Sequence, residues 1–171
     1  MSESVAEHRS KGKKRVSCIV LTVSDTRSEK TDESGQLICR LLESEGHGLA
    51  DYQITRDDLD EIQRLLTEGL KNSAVDVLIL TGGTGISKRD QTYEAVESVL
   101  EKRLDGFGEI FRFLSYQEVG SAAILSRALA GVASGKVIIS LPGSKAAVGL
   151  AMEKLVLPEI GHMVSQAQKE S

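Results

Sequence analysis

The chain has no tryptophan, and aromatic side chains make up only 4% of its 171 residues. Proteins that hold single-stranded nucleic acid stack bases on aromatic rings, so this shortage argues against such a groove. Positive charge is short as well. The formal net charge is −4, and the only basic cluster is Lys11, Lys13, Lys14 and Arg15, close to the start. Four charges on one short segment do not make the broad basic face that a phosphate backbone requires. There are two cysteines, Cys18 in an apolar strand pattern and Cys39 in a helical one. They form no C-x-x-C pair and read as buried structural thiols. The histidines, His8, His47 and His162, are too scattered for a zinc site. No apolar run approaches the ~20 residues of a membrane helix. The opening MSESVAEHRSKGKKR has no apolar stretch of the secretory kind. These absences predict a cytoplasmic protein that binds neither nucleic acid nor membrane.

What is present is enough for one core: 40% of the residues are hydrophobic and 27% are charged, a normal balance for a single domain. The reading divides the chain into a disordered tail over 1–14, one domain over 15–165 and a short tail over 166–171. Four runs read as strands: 15–23, 49–55, 75–81 and 136–141. Three are almost continuously apolar, as expected for parallel strands buried on both faces. Between them apolar residues recur at helical spacing: Leu37, Ile38, Leu41 and Leu42; Leu59, Ile62, Leu65, Leu66 and Leu70; Ala95, Val96, Val99 and Leu100. The pattern from Lys145 to about Gln166 is helical too, with Pro158 expected to kink or break it. Residues 106–135 read as two short helices broken at Gly120, either core packing, a subunit interface or part of a site. Strand–helix alternation predicts an α/β fold with helices on both faces of a mostly parallel sheet.

Three strands end alike. The first runs into VSDTRS (23–28), the third into TGGTGISKRD (81–90) and the fourth into LPGSKAA (141–147). In a parallel sheet the carboxyl ends share one edge, where ligands bind. Gly82, Gly83 and Gly85 let backbone amides approach a guest closely, and the helix starts after Asp90 and Ser144 favour an anion. A phosphate is the natural guest. The spacing is neither that of a P-loop nor that of a dinucleotide fingerprint. Taken singly, each segment is also an ordinary turn or cap: Ser144 can cap a helix, and so can Asp57 and Asp90. Asp25, Asp57, Asp58 and Asp90 all follow strand ends or the glycine loop. Carboxylates beside a phosphate suit magnesium, which bridges the two. Lys88 and Arg89 read as phosphate contacts or as solvated loop charges. Ser126 and Arg127 read as ligand contacts, with Arg127 equally suited to bridging an acid.

SDTR (24–27), DESG (32–35), LTGGTG (80–85), RDQTYEA (89–95), LSRALAG (125–131) and LPGS (141–144) together resemble the molybdenum cofactor biosynthesis proteins of the MoaB/MogA type. The resemblance runs from Val16 to Ile160, and 106–120 looks closer to the MoaB branch. It implies a three-layer α/β/α fold that binds molybdopterin. It also implies transfer of AMP from Mg-ATP to the molybdopterin phosphate, with release of pyrophosphate. The alternative within the family is a protein that binds molybdopterin or its precursor without transfer. By the same resemblance Asp57 and Asp90 are the catalytic residues, with Asp57 also holding the metal. The substrate-binding set is Ser24, Asp25, Ser34, Gly35, Gly82, Gly83, Thr84, Gly85, Ser126, Arg127, Pro142, Gly143 and Ser144. The family pattern further implies a homotrimer or homohexamer. Lys88 stands where many relatives have proline.

Overall fold

The computed structural model describes residues 12–169. Strand β1 spans Ser17–Val23, β2 Gly48–Thr55, β3 Val77–Thr81, β4 Lys102–Arg103, β5 Leu129–Ala133 and β6 Lys136–Leu141. The helices are α1 Glu33–Ser44, α2 Leu59–Lys71, α3 Thr92–Val99, α4 Asp105–Val119, α5 Lys145–Ala151 and α6 Leu157–Ala167. A 3₁₀ segment, Gly120–Leu125, follows α4, and a π turn, Met152–Val156, joins α5 to α6.

The sheet has six strands in the order β2-β1-β3-β6-β5-β4. Its first four are parallel; at one edge β5 pairs antiparallel with β6, and β4 pairs antiparallel with β5. Helices cover both faces, because the strands alternate between two apolar surfaces. Val77 and Ile79 pack with Ile38, Leu42, Phe111, Val148 and Met152 on one side. Leu78 and Leu80 pack with Ile62, Leu66, Ala95 and Val96 on the other. This is the expected three-layer arrangement. Strand order reverses at β1, which has β2 on one flank and β3 on the other, so a crevice opens at their carboxyl ends.

Two strands go beyond the four expected. Where 106–135 reads as two helices, the break at Gly120 is real, with φ 63, but only the first half is α-helical. The second half becomes β5, which returns on β6 through the two-residue turn Ser134–Gly135, both at positive φ. Such a turn matches the twist of a hairpin, and pairing with β6 outweighs the weak helical spacing of LSRALAG. The expected break at Pro158 takes the form of the π turn just before it. There the Leu157 N–H bonds to Met152 O, which absorbs the hydrogen bond that proline cannot donate.

The ends of the domain lie further out than the sequence suggests. Of the expected N-terminal tail, residues 1–11 lie outside the described residues, but Lys13 is docked. Its N–H donates to Gly161 O (3.0 Å) and Ser165 Oγ (2.9 Å). Its Nζ reaches Asp76 Oδ1 at 2.7 Å. Gly161 makes this possible, since a Cβ there would lie 2.3 Å from Lys13 O. Helix α6 continues to Ala167, past the expected boundary, and Gln168 also donates to Asp76. Burial alone would raise the Asp76 pKa; hydrogen bonds from Lys13, Ser17 and Gln168 and the Lys13 charge outweigh it and hold the carboxyl below its ordinary value. Burial instead pushes Cys18 up to about 12 and Cys39 up to about 11, so both thiols stay protonated and inert. Among the described residues no helix is long and apolar enough to cross a membrane.

Candidate functional site

Loops after β1, β3 and β6 meet at one edge of the sheet. Gly82 N–H donates to Leu141 O (3.1 Å), and Thr81 Oγ1 donates to Pro142 O (3.1 Å). Arg27 crosses from the first loop to the third, donating to Gly143 O at 2.8 Å while pairing with the buried Asp32 at 3.2 Å. Ser34 Oγ donates to the same Gly143 carbonyl at 2.8 Å. Glycine is required where the loops touch. Gly82 sits at φ 93, and a Cβ on it would lie 2.2 Å from Val23 O. At Gly83, with φ 61, a Cβ would lie 2.2 Å from Thr92 Oγ1 and 2.7 Å from Asp57 Oδ2.

The glycine loop divides two cavities. One, of about 360 Å³, is lined by Thr84, Gly85, Ser126, Pro142, Gly143 and Ser144, with an apolar floor of Phe111, Ala123 and Leu150. The other, of about 350 Å³, is lined by Asp25, Arg56, Asp57, Asp58 and Arg89. Asp25 pairs with Arg89 at 2.6 Å, tying the first loop to the end of the glycine loop.

Asp57 is not a helix cap. Asp58 takes that role for α2, accepting from Glu61 N–H at 3.0 Å. The Asp57 carboxylate instead reaches across to the start of α3, where Oδ1 accepts from Gln91 N–H at 2.9 Å. Its pKa is raised, first by burial and then by the charges of Asp90 and Asp25, against a lowering contribution from the Gln91 N–H. Asp90 does not cap α3 either; the cap position is Gln91. Asp90 Oδ2 accepts from Ser87 N–H at 2.8 Å and lies where a Cβ on Gly85 would fall, 2.7 Å away. The Ser87 hydroxyl leads the causes that lower its pKa, with the backbone N–H groups of Ser87 and Gly85 and the Arg127 charge adding to it against burial. The two aspartates are thus driven in opposite directions, one raised by burial and then by like charge, the other lowered by donors.

The expected substrate-binding residues separate into groups. Thr84, Gly85, Ser126, Pro142, Gly143 and Ser144 share the first cavity, and Asp25 faces the second. Ser24 lines neither; its Oγ accepts from the N–H groups of Thr26 and Arg27 and shapes the turn. Ser34 and Gly35 are buried, and a Cβ on Gly35 would lie 2.2 Å from Asp32 Oδ2. Arg127 bridges an acid and grips the loop: it pairs with Glu94, donates to Thr84 O (3.0 Å) and to Gly85 O, and lies over the Tyr93 ring. Arg27 and Asp32 are a pair that the expected set lacks, although Arg27 stands inside SDTR and Asp32 inside DESG; together they tie the first loop to the third. Asp32 has a lowered pKa: burial works against its charge, and hydrogen bonds including those from Tyr52 and Gly35 N–H, with the Arg27 charge, overcome it.

Magnesium takes oxygen ligands, keeps several waters and is held by one or two carboxylates plus phosphate oxygens. Among the described residues no group of three or more His, Cys, Asp or Glu side chains forms a ready-made cage. Asp57 and its neighbour Asp25 are hard-oxygen donors in the acidic cleft, and a cation there would offset both the burial of the Asp57 carboxylate and the nearby charges of Asp90 and Asp25. The donor set fits a cation that arrives with phosphate.

Comparison with known proteins agrees with this geometry. A family model described as a probable molybdopterin binding domain matches residues 19–162. Molybdenum cofactor biosynthesis protein B of Halalkalibacterium halodurans is 51% identical over 168 residues, covering 98% of this chain and 99% of the relative. The protein of that name from Bacillus subtilis is 49% identical with the same coverage. A crystal structure of a molybdenum cofactor biosynthesis protein B superimposes with TM-score 0.89 at 49% identity, over 92% of this chain and 98% of the other. The tungsten cofactor synthesizing protein MoaB of Pyrococcus furiosus gives 0.82 at 40% identity, over 91% and 99%. With that loop geometry, and with likeness running over nearly its whole length, the chain belongs to the MoaB/MogA family of molybdenum cofactor biosynthesis proteins.

Proposed function

We propose that the protein binds molybdopterin in the cavity beside Ser144 and transfers AMP from ATP to its phosphate. The observation that carries this reading is the glycine loop between two unlike cavities, with Asp57 freed from capping and turned into the acidic one. The apolar floor of the first cavity suits a flat pterin ring, and the carbonyl-fixed turn at Gly143 shapes its rim. An oxygen of the pterin phosphate attacks the α-phosphorus of ATP, the bond to the β-phosphate breaks, and pyrophosphate leaves. That chemistry needs in-line positioning and charge neutralisation rather than a protein nucleophile. Asp57 would hold Mg²⁺, which supplies neutralisation of the polyphosphate charge when bound. Arg89 is placed to exchange its bond with Asp25 for a nucleotide phosphate. Arg127 holds the Thr84 and Gly85 carbonyls and so fixes the loop beside the first cavity.

The test is incubation with molybdopterin and Mg-ATP in the absence of molybdate. Adenylylated molybdopterin and an equal amount of pyrophosphate are expected. Saturable pterin binding with no product would leave a binding protein of the same pathway and overturn the transfer step.

Self-association belongs to the same proposal. Ile110, Phe113 and Tyr116 stand three residues apart along α4, and all are exposed, as are Val119, Ile124 and Leu125 beyond them. Exposed large apolar side chains in such number mark an interaction surface. Sedimentation equilibrium is expected to give three or six times the 18.4 kDa chain mass; a monomer at micromolar concentration would remove the oligomer.

A further inference from the structure

Behind Ser126, on the far side from the pterin cavity, lies a third cavity of about 530 Å³. Tyr93, Arg103, Gly108, Arg112, Ser126 and Arg127 border it. Three guanidinium groups therefore meet around one hollow. Two are occupied: Arg103 pairs with Glu97 and Asp105, and Arg127 pairs with Glu94. Arg112 is half-buried and has no carboxylate within ion-pair distance among the described residues. Glu109 stands three positions earlier on the same wall, yet the two do not pair.

The chain makes room for this unpaired charge. A Cβ on the buried Gly108 would lie 2.9 Å and 3.2 Å from the two terminal nitrogens of Arg112. The tighter contact is with Ala128 O, 2.8 Å from the same Cβ position, so glycine there lets α4 lie against that backbone as well as against the guanidinium. A partly desolvated charge without a partner is costly, and so is a buried hydroxyl without one. The Ser126 Oγ is such a hydroxyl, with no hydrogen-bond partner. A planar fork of donors matches two oxygens of a phosphate; Asp105 and Glu109 also border the cavity, so Arg112 is its one guanidinium without a carboxylate partner among the described residues.

We propose that this cavity is a binding site for a small phosphate-bearing anion, with Arg112 as its principal contact. The site is separate from the adenylyl-transfer cleft and does not depend on that reading. It touches the cleft through Arg127, which borders the cavity and holds the glycine loop.

Calorimetric titration of the full chain with inorganic phosphate, and separately with AMP, tests the proposal. Saturable binding of at least one anion is expected. Arg112→Gln should weaken it by about tenfold or more, the usual effect of losing a charge-assisted contact. Arg64→Gln, which removes a guanidinium paired with Glu61 and Glu68 on the exposed side of α2, should leave it unchanged. Tighter binding of AMP than of phosphate would identify an organic phosphate as the guest. Thermal melts establish that each variant is folded. Arg112→Gln binding within twofold of the parent, loss through Arg64→Gln instead, or no saturable binding of either anion at millimolar concentration would overturn the site.

Discussion

Asp57→Asn is expected to slow AMP transfer by about two to three orders of magnitude, a typical effect of removing a group that stabilises transition-state charge. Pterin affinity should stay within a few-fold, because Asp57 lies in the acidic cavity and not in the pterin one. The substitution is nearly isosteric. An amide oxygen can still accept the Gln91 N–H that Oδ1 accepts at 2.9 Å, so the start of α3 keeps its geometry and only the charge is lost. Asp58→Asn, one residue along, provides the contrast: that side chain caps α2 through Glu61 N–H, and asparagine caps as well as aspartate. Single-turnover rates for both variants, with molybdopterin and Mg-ATP, decide the matter. If Asp57→Asn turned over at the parent rate, the assignment of Asp57 would fail.

The second large effect concerns the fold beneath the site. Gly82→Ala is expected to destabilise the protein by about 3–5 kcal/mol, the upper range for single substitutions. Two costs combine. The backbone is at φ 93, which side-chain-bearing residues avoid, and the new methyl would lie 2.2 Å from Val23 O. That oxygen belongs to the backbone of β1, which pairs with β2 and β3 and cannot swing aside as a side chain would. Gly46→Ala separates the terms. Gly46 also has positive φ, at 79, but nothing lies within 4 Å of its Cβ position. Its cost should be the conformational part alone, about 1–2 kcal/mol. Urea unfolding of the two variants measures the difference. Equal losses would show that the contact with Val23 does not matter.

Much of this molecule could be read from the chain. Strands β1, β3 and β6 announce themselves because parallel strands buried on both faces are apolar throughout. The glycine loop is legible because turn-forming residues follow β3 directly. The antiparallel edge is not. β4 is two residues long, and LAGVA is built from small residues whose strand character comes from pairing with β6. A local signal for that hairpin existed in Ser134–Gly135, a two-residue turn between apolar runs, but the helical spacing before it pointed the other way. Likewise Ser34 and Gly35 stand in the substrate-binding set that the resemblance implies, and the fold buries both, Ser34 against the Gly143 carbonyl and Gly35 beside Asp32, Thr22 and Tyr52.

The division follows the range of the forces involved. Apolar periodicity, turn propensity and the glycine positions act over a few residues, so the chain alone settles the layers, the glycine loop after β3 and the likeness to the family. Which aspartate caps a helix and which reaches into a cleft is a question of distance across the fold. Asp57 meets Gln91 34 residues away, and Arg27 meets Gly143 116 residues away. No local pattern encodes such contacts. They come into being only when packing of the two apolar faces brings the strand ends together.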